Sequence, residues 1–134
     1  MKYKEVTQHY NTGQLQHHLF MNWNGTVHGE YREYHESGQL EWHYLKRSGV
    51  IFGEAKMFSS RGCLFHHYLV DGNGKEIATV ISCGKSAIHT EEQLIQIGKE
   101  HNLPLLEDIP KTEEEVTLWN LKYPGIPCLP ISTD

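Results

Sequence analysis

Glycine recurs along the first two-thirds of this chain at a spacing that limits the folds open to it. Leucine stands two residues after Gly13, Gly38 and Gly62, and a second series of glycines lies between these positions. Together the two series divide residues 10–82 into units of about 24 residues with a half-period of about 12, which is typical of a repeat architecture. The predicted turn positions are Gly13, Gly25, Gly38, Gly49, Gly62 and Gly74.

A half-period of about 12 residues predicts β-strands, because it leaves room for strands of about eight residues and is too short for two-helix repeats. Asn24-Gly25 supports this prediction, since both residue types tolerate the positive φ of a tight hairpin turn. The intervening segments are rich in aromatic and β-branched residues, which favour a pleated sheet. We predict antiparallel strands, paired in sequence order, at 3–10, 14–21, 26–34, 39–46, 50–58, 63–70 and 75–82.

Alternation along each strand assigns the side chains to two faces of the sheet. In the middle repeat, Trp42 and Tyr44 share one face, whereas His43 and Leu45 share the other. The repeats on either side follow the same pattern. Both faces mix apolar and polar side chains, which predicts a sheet that is half covered on both sides.

The pattern changes after Gly84. Thr90 and Thr112 each open a capping-box sequence, which predicts helices near 90–101 and 112–122. The prolines of the apolar tail exclude regular structure there, and the tail either packs back on the sheet or contributes to a partner site. We expect residues 1–84 to form the repeat sheet and residues 85–134 a helical cap and Pro-rich tail, packed together as one domain. The predicted fold class is mainly β: an antiparallel β-meander of three tandem hairpin repeats, followed by a short α-helical segment.

The charge distribution argues against a nucleic-acid partner. The net charge is -5, the repeat region is nearly neutral, and residues 76–134 carry ten acidic residues against four basic ones. No basic patch of the kind that binds phosphate is present. No apolar run reaches the roughly 18 residues of a membrane span, and the N-terminus lacks the apolar core of a signal peptide. The three separated cysteines, Cys63, Cys83 and Cys128, are expected to be free thiols in the cytoplasm.

The chain contains ten histidines, so a metal site has to be considered. His18, His43 and His67 stand one repeat apart, which places neighbours about 10 Å from each other in a sheet. Zinc ligands lie about 2 Å from the metal, so adjacent members of this series cannot share one ion. Gly84-Lys85-Ser86 lacks the upstream glycine of a phosphate-binding loop. We therefore expect no metal, no cofactor and no catalytic residues, and predict that the protein is not an enzyme.

The run from His28 to Leu40, HGEYREYHESGQL, resembles the MORN-variant repeat, in which a glycine, spaced aromatics and a turn glycine precede a leucine. The resemblance extends, more weakly, over about residues 9–81, and Ala78 replaces a glycine in the third copy. It implies a meander of stacked hairpins. It also implies a relation to YwqK-type, antitoxin-like bacterial proteins, and to eukaryotic scaffolds for which phosphoinositide binding is debated.

These features favour a non-enzymatic module that binds and neutralises a protein partner, such as a toxin or a host defence enzyme. Aromatic side chains on a regular sheet suit such a surface, and open sheet edges allow a homodimer. Two alternatives stay open: a membrane-surface scaffold that binds anionic lipid, and a small histidine-dependent metal enzyme. The predicted partner-binding residues are Trp23, Tyr31, Tyr34, Trp42, His43, Tyr44, His67 and Tyr68.

Overall fold

The computed structural model describes residues 3–81 and 88–126. Within these ranges, seven strands form one open sheet, in which each strand pairs antiparallel with the next. The strands are β1 (Lys4–His9), β2 (Leu15–Met21), β3 (Val27–Tyr34), β4 (Leu40–Arg47), β5 (Val50–Phe58), β6 (Leu64–Val70) and β7 (Glu76–Ile81). They are followed by α1 (Glu91–Glu100), a 3-10 turn at Leu106–Asp108 and α2 (Glu113–Lys122). The predicted meander with a helical C-terminal segment is confirmed.

The six glycines of the two series lie at the chain reversals, with φ between 81° and 94°. At five of these turns the glycine N–H donates to the carbonyl of the residue three positions earlier, as Gly25 does to Asn22. The turn between β4 and β5 differs, because Ser48 and Gly49 both have positive φ. That combination is the two-residue hairpin turn whose twist matches the flanking strands.

A second set of glycines lies inside the strands. Gly29 and Gly53 have φ of 81° and 90°, and each lies near a register shift in the pairing of its strand with the preceding one. A bulge of this kind puts an extra residue into one strand and favours glycine at the positive φ. Ala78, which stands in the equivalent place of the third repeat, has no positive φ.

The C-terminal segment covers one face of the sheet, which we call the covered face. Thr90 forms the predicted capping box of α1 with Gln93, and Thr112 accepts the N–H of Glu115 at the start of α2. Residues of both helices and of their connection share one core with strand side chains of β4 to β7. The buried members of this core are Leu45, Phe52, Leu69, Ala78, Leu94, Leu103, Leu105, Leu106, Ile109, Trp119, Tyr123 and Ile126.

The opposite face has a separate buried cluster that consists of strand residues alone: Tyr44, Ala55, Tyr68 and Val70. The sequence pattern had suggested a sheet half covered on both sides. In the described part of the chain, the C-terminal segment instead packs on one side. The predicted tail beyond Ile126, and also Cys83, Cys128 and the Gly84-Lys85-Ser86 run, lie outside the described residues. None of the helices between residues 88 and 126 is long and apolar enough to cross a membrane.

Candidate functional site: the aromatic face of the sheet

Two rows of side chains cross the strands on the side opposite the C-terminal helices. The pairing of β3 to β6 places Tyr31, Tyr44, Ala55 and Tyr68 opposite one another in the first row. The second row, one step along the strands, consists of His17, Glu33, Trp42, Met57 and His66. We call these two rows the aromatic face. Both rows follow from the repeat, because equivalent positions of successive hairpins meet in register.

The rings of the aromatic face contact each other in ordered geometries. Tyr31 and Tyr44 stack with their centroids 4.8 Å apart and their planes 10° apart, while Trp42 meets Tyr44 edge-on at 5.9 Å. His66 stacks on Tyr68 at 4.1 Å. Tyr44 and Tyr68 are buried, whereas Tyr31, Trp42 and His66 keep part of their surface exposed. The rings therefore form a rigid layer whose outer edges can contact another molecule.

The tyrosines of this layer are held neutral. Burial and the hydrogen bond that Tyr31 donates to Glu33, 2.9 Å long, raise the pKa of Tyr31 well above its ordinary value. Burial, with the negative charge of Glu33, raises the pKa of Tyr44 to about 12. The Lys46 ammonium lies 5.6 Å from the centroids of both rings, within the range of a cation–π contact. The face thus combines neutral aromatic rings with one cation and one hydrogen-bonded carboxylate.

A groove of about 460 Å³ opens at one end of the aromatic face, between the β4–β5 and β6–β7 turns. Tyr44 and Tyr68 form its floor, Val50 and Ile51 one wall, and Lys46 and Glu76 add opposite charges. Val50 is mostly exposed. The groove extends the aromatic layer into a concave surface that could receive an extended chain or a side chain.

The structure divides the predicted partner-binding residues among three places. Tyr31, Trp42, Tyr44 and Tyr68 lie together on the aromatic face. Tyr34, His43 and His67 belong to the covered face, where His67 is buried. Trp23 was expected on the sheet. It lies instead in the turn between β2 and β3, because β2 ends at Met21, and its side chain is 89% exposed. The eight residues therefore do not form one surface.

The covered face contains a feature that the sequence analysis missed, a Glu–His pair repeated three times. Nε2 of His18, His43 and His67 lies 2.9, 2.8 and 2.5 Å from a carboxylate oxygen of Glu5, Glu30 and Glu54 respectively. Each pair joins two neighbouring strands with the same diagonal offset. The signal was present in the sequence, since each glutamate precedes its histidine by the same 13 residues.

The carboxylates of the two inner pairs are ionised in the folded protein. Burial alone would raise the pKa of Glu54, but the hydrogen bonds from His67 and from the Leu106 N–H, 2.7 Å long, lower it below its ordinary value. Burial has the same opposing effect on Glu30, whose pKa is lowered by His43 and by the Arg32 guanidinium. These pairs recur as part of the repeat, which indicates a role in holding neighbouring strands together.

The lowered pKa values predict a loss of stability in acid. A carboxyl group whose pKa is lower in the folded state binds fewer protons there than in the unfolded chain. Its contribution is present above the unfolded value, 4.5 for glutamate, and is lost as the pH falls through the folded value. We expect urea titrations to show a free energy of unfolding that falls between about pH 5 and pH 3. The double variant Glu30→Gln/Glu54→Gln should flatten this decline; an unchanged slope would contradict the assignment.

No group of three or more histidine, cysteine, aspartate or glutamate side chains in residues 3–81 and 88–126 has the arrangement of a metal site. Cys63 is a free thiol, exposed in the turn before β6.

None of the protein-family models, curated proteins or solved structures compared with the chain matches it. The resemblance to MORN-variant repeats accordingly stays a prediction from the sequence.

Proposed function

We propose that this protein is a non-enzymatic module that binds another protein through the aromatic face and thereby inhibits or neutralises it. The observation that supports the proposal best is the layer of rings on the side of the sheet away from the helices, in which the partly exposed Tyr31 and Trp42 pack against the buried Tyr44. Tyrosine and tryptophan dominate the energetics of protein interfaces, because they bury a large area at a small cost in conformational entropy.

Rigidity supports the same proposal. The rings of the aromatic face are fixed by mutual stacking, by the Tyr31–Glu33 hydrogen bond and by Lys46. A surface that is already ordered loses little freedom when a partner binds, so more of the contact energy appears as affinity. The adjoining groove at Val50 and Ile51 adds an apolar pocket for a side chain of the partner.

The charges on this face favour a protein over an anionic membrane. Adsorption to acidic lipid depends on clustered lysine and arginine side chains, each worth about 1 kcal/mol near the surface. Here Lys46 stands among the rings together with Glu33, and Glu76 lies across the groove. A mixed, nearly neutral aromatic surface is typical of protein interfaces, where charges lie at the rim.

The experiment is a capture of binding proteins from the native host with the tagged chain, followed by quantitative mass spectrometry. The wild type is compared with Tyr31→Ala and Trp42→Ala on the aromatic face, and with Leu121→Ala on the exposed side of α2. Leu121 is 78% exposed and serves as the matched control. The captured protein is then assayed for its own activity with and without the chain, which tests the inhibitory role.

We expect one protein to be retained in stoichiometric amount by the wild type and by Leu121→Ala. Each aromatic substitution should weaken its binding by about 30-fold, which corresponds to the roughly 2 kcal/mol of an interface hot spot. Circular dichroism of each variant checks that the sheet is intact. The proposed surface would be contradicted if the wild type and the three variants retained the same amount of partner, or if the wild type retained no partner.

A further inference from the structure

The three Glu–His pairs of the covered face are equivalent in the repeat but differ in their surroundings. The Glu5 side chain is 44% exposed, so water completes its hydrogen bonding. Glu54 is enclosed, and the Leu106 N–H occupies its second oxygen, Oε1. Glu30 is also enclosed, with a side chain only 3% exposed. The middle pair differs from the third in two respects: Arg32 also contacts Glu30, and the second oxygen of Glu30 has different surroundings.

His43 and Arg32 converge on the same oxygen of Glu30. His43 Nε2 lies 2.8 Å from Glu30 Oε2, and Arg32 reaches this oxygen with Nη2 at 2.7 Å and with Nε at 2.8 Å. No donor among residues 3–81 and 88–126 is assigned to Glu30 Oε1. Every side-chain oxygen that is sealed from solvent in this part of the chain does have a partner. Glu30 Oε1 therefore keeps some accessible surface, and Glu30 lines the space next to it.

That space is a cavity of about 390 Å³ between the sheet and the C-terminal segment. Glu30, Arg32 and His43 line it from the sheet. The 3-10 turn and the residues after it close the cavity with the apolar side chains of Leu106, Ile109 and Pro110, beside the exposed Glu107 and Lys111. The cavity has the size of a small-molecule site, and it combines an apolar wall with converging polar groups.

We propose that this cavity binds a small neutral molecule with a carboxamide-like group on an apolar body. The free carboxylate oxygen of Glu30 requires a hydrogen-bond donor, which an N–H of the ligand supplies. The Arg32 guanidinium carries five N–H groups. Nε and Nη2 are directed at Glu30, and the Tyr34 side chain makes a further hydrogen bond with Arg32. The remaining N–H groups can donate to the carbonyl oxygen of the same ligand. Leu106, Ile109 and Pro110 provide the contact surface for the apolar body.

The charge balance of the cavity selects against charged ligands. Along the cavity, the carboxylates of Glu30 and Glu107 balance the cations of Arg32 and Lys111. A cation would therefore meet the repulsion of Arg32 and Lys111, and an anion that of Glu30 and Glu107. The free oxygen of Glu30 also offers an anion no donor. A neutral group that both donates and accepts satisfies each polar side chain without either repulsion. The site lies on the covered face, so it is independent of the proposed partner surface.

The test uses three probes of one shape and different charge: benzamide, benzamidinium and benzoate. Each is titrated into the isotope-labelled full chain at neutral pH, and binding is followed by amide chemical shifts in NMR spectra. We expect benzamide to shift the signals of residues 105–111 and of β3 and β4. It should bind about tenfold or more tightly than either charged probe, since one mismatched hydrogen bond to a charged group costs at least that factor.

Two further measurements locate the binding. Magnetisation transfer from the benzamide ring protons should reach the methyl groups of Leu106 and Ile109 in the wild type, so this result does not depend on any variant folding. Glu30→Gln should lose most of the preference for benzamide over benzoate, because the carboxylate that repels the anion is removed, whereas the equivalent substitution Glu5→Gln should not change it. Equal binding of the three probes, contacts at the aromatic face instead, or no benzamide binding up to its solubility limit would overturn the proposal.

Discussion

Replacing Glu54 by alanine should cost about 3–5 kcal/mol of unfolding free energy, the range observed when one partner of a buried pair is removed. The carboxylate makes two hydrogen bonds, one from His67 and one from the Leu106 N–H. Both donors are buried, and each buried donor left without an acceptor costs about 1–3 kcal/mol. The loss should be measured by urea unfolding at neutral pH. The slope of the unfolding free energy against urea concentration, the m-value, should stay unchanged.

The repeat provides a matched control in Glu5→Ala. Glu5 makes the same cross-strand contact with His18, but its side chain is 44% exposed. An exposed pair is screened by water, so its removal should cost less than about 1 kcal/mol. The comparison separates burial from chemistry, because residue type, geometry and strand offset are shared. Equal effects at the two positions would show that the enclosed pair contributes no more than the exposed one.

The glycine spacing was sufficient to predict the meander. The ends of all seven strands were predicted to within one residue, because turn glycines and alternating aromatic residues act locally. The capping sequences at Thr90 and Thr112 gave the two helices for the same reason. Turns and helix caps depend on residues that are close together in the chain, so they can be predicted from the sequence alone.

The arrangement of the two faces was harder to predict. Alternation placed Trp42 and Tyr44 on one side and His43 on the other, but it could not show which side the C-terminal segment would cover. That choice depends on Leu94, Leu105 and Trp119, which are far from the sheet in sequence and pack with Leu45 and Leu69. The predicted binding residues were therefore divided between faces, and the cavity beside Glu30 was not foreseen.

Gly53 and Glu54 lie where the C-terminal segment packs on β5. Both residues contact the loop that leads into the 3-10 turn. The Glu54 N–H donates to the Pro104 carbonyl at 3.0 Å, and the Leu106 N–H binds the Glu54 carboxylate. A side chain at Gly53 would overlap the Pro104 carbonyl oxygen and would lie 2.7 Å from Pro104 Cγ. Position 53 therefore requires glycine for two reasons. Its φ of 90° favours glycine, and the loop approaches β5 too closely there for any side chain.

Gly53→Ala should accordingly lower the unfolding free energy by about 3–5 kcal/mol, of which the left-handed backbone accounts for about 1–2 and overpacking against Pro104 for the remainder. Gly13→Ala is the control, because Gly13 has φ of 93° and nothing within 4 Å of the added carbon; it should cost only the backbone share. Backbone amides of α1 should also exchange faster in Gly53→Ala but not in Gly13→Ala, because only the first substitution weakens the packing of the C-terminal segment on β5. If the two variants lose equal stability and α1 exchanges equally in both, Pro104 can withdraw freely, and the contact at Gly53 does not hold the cap on the sheet.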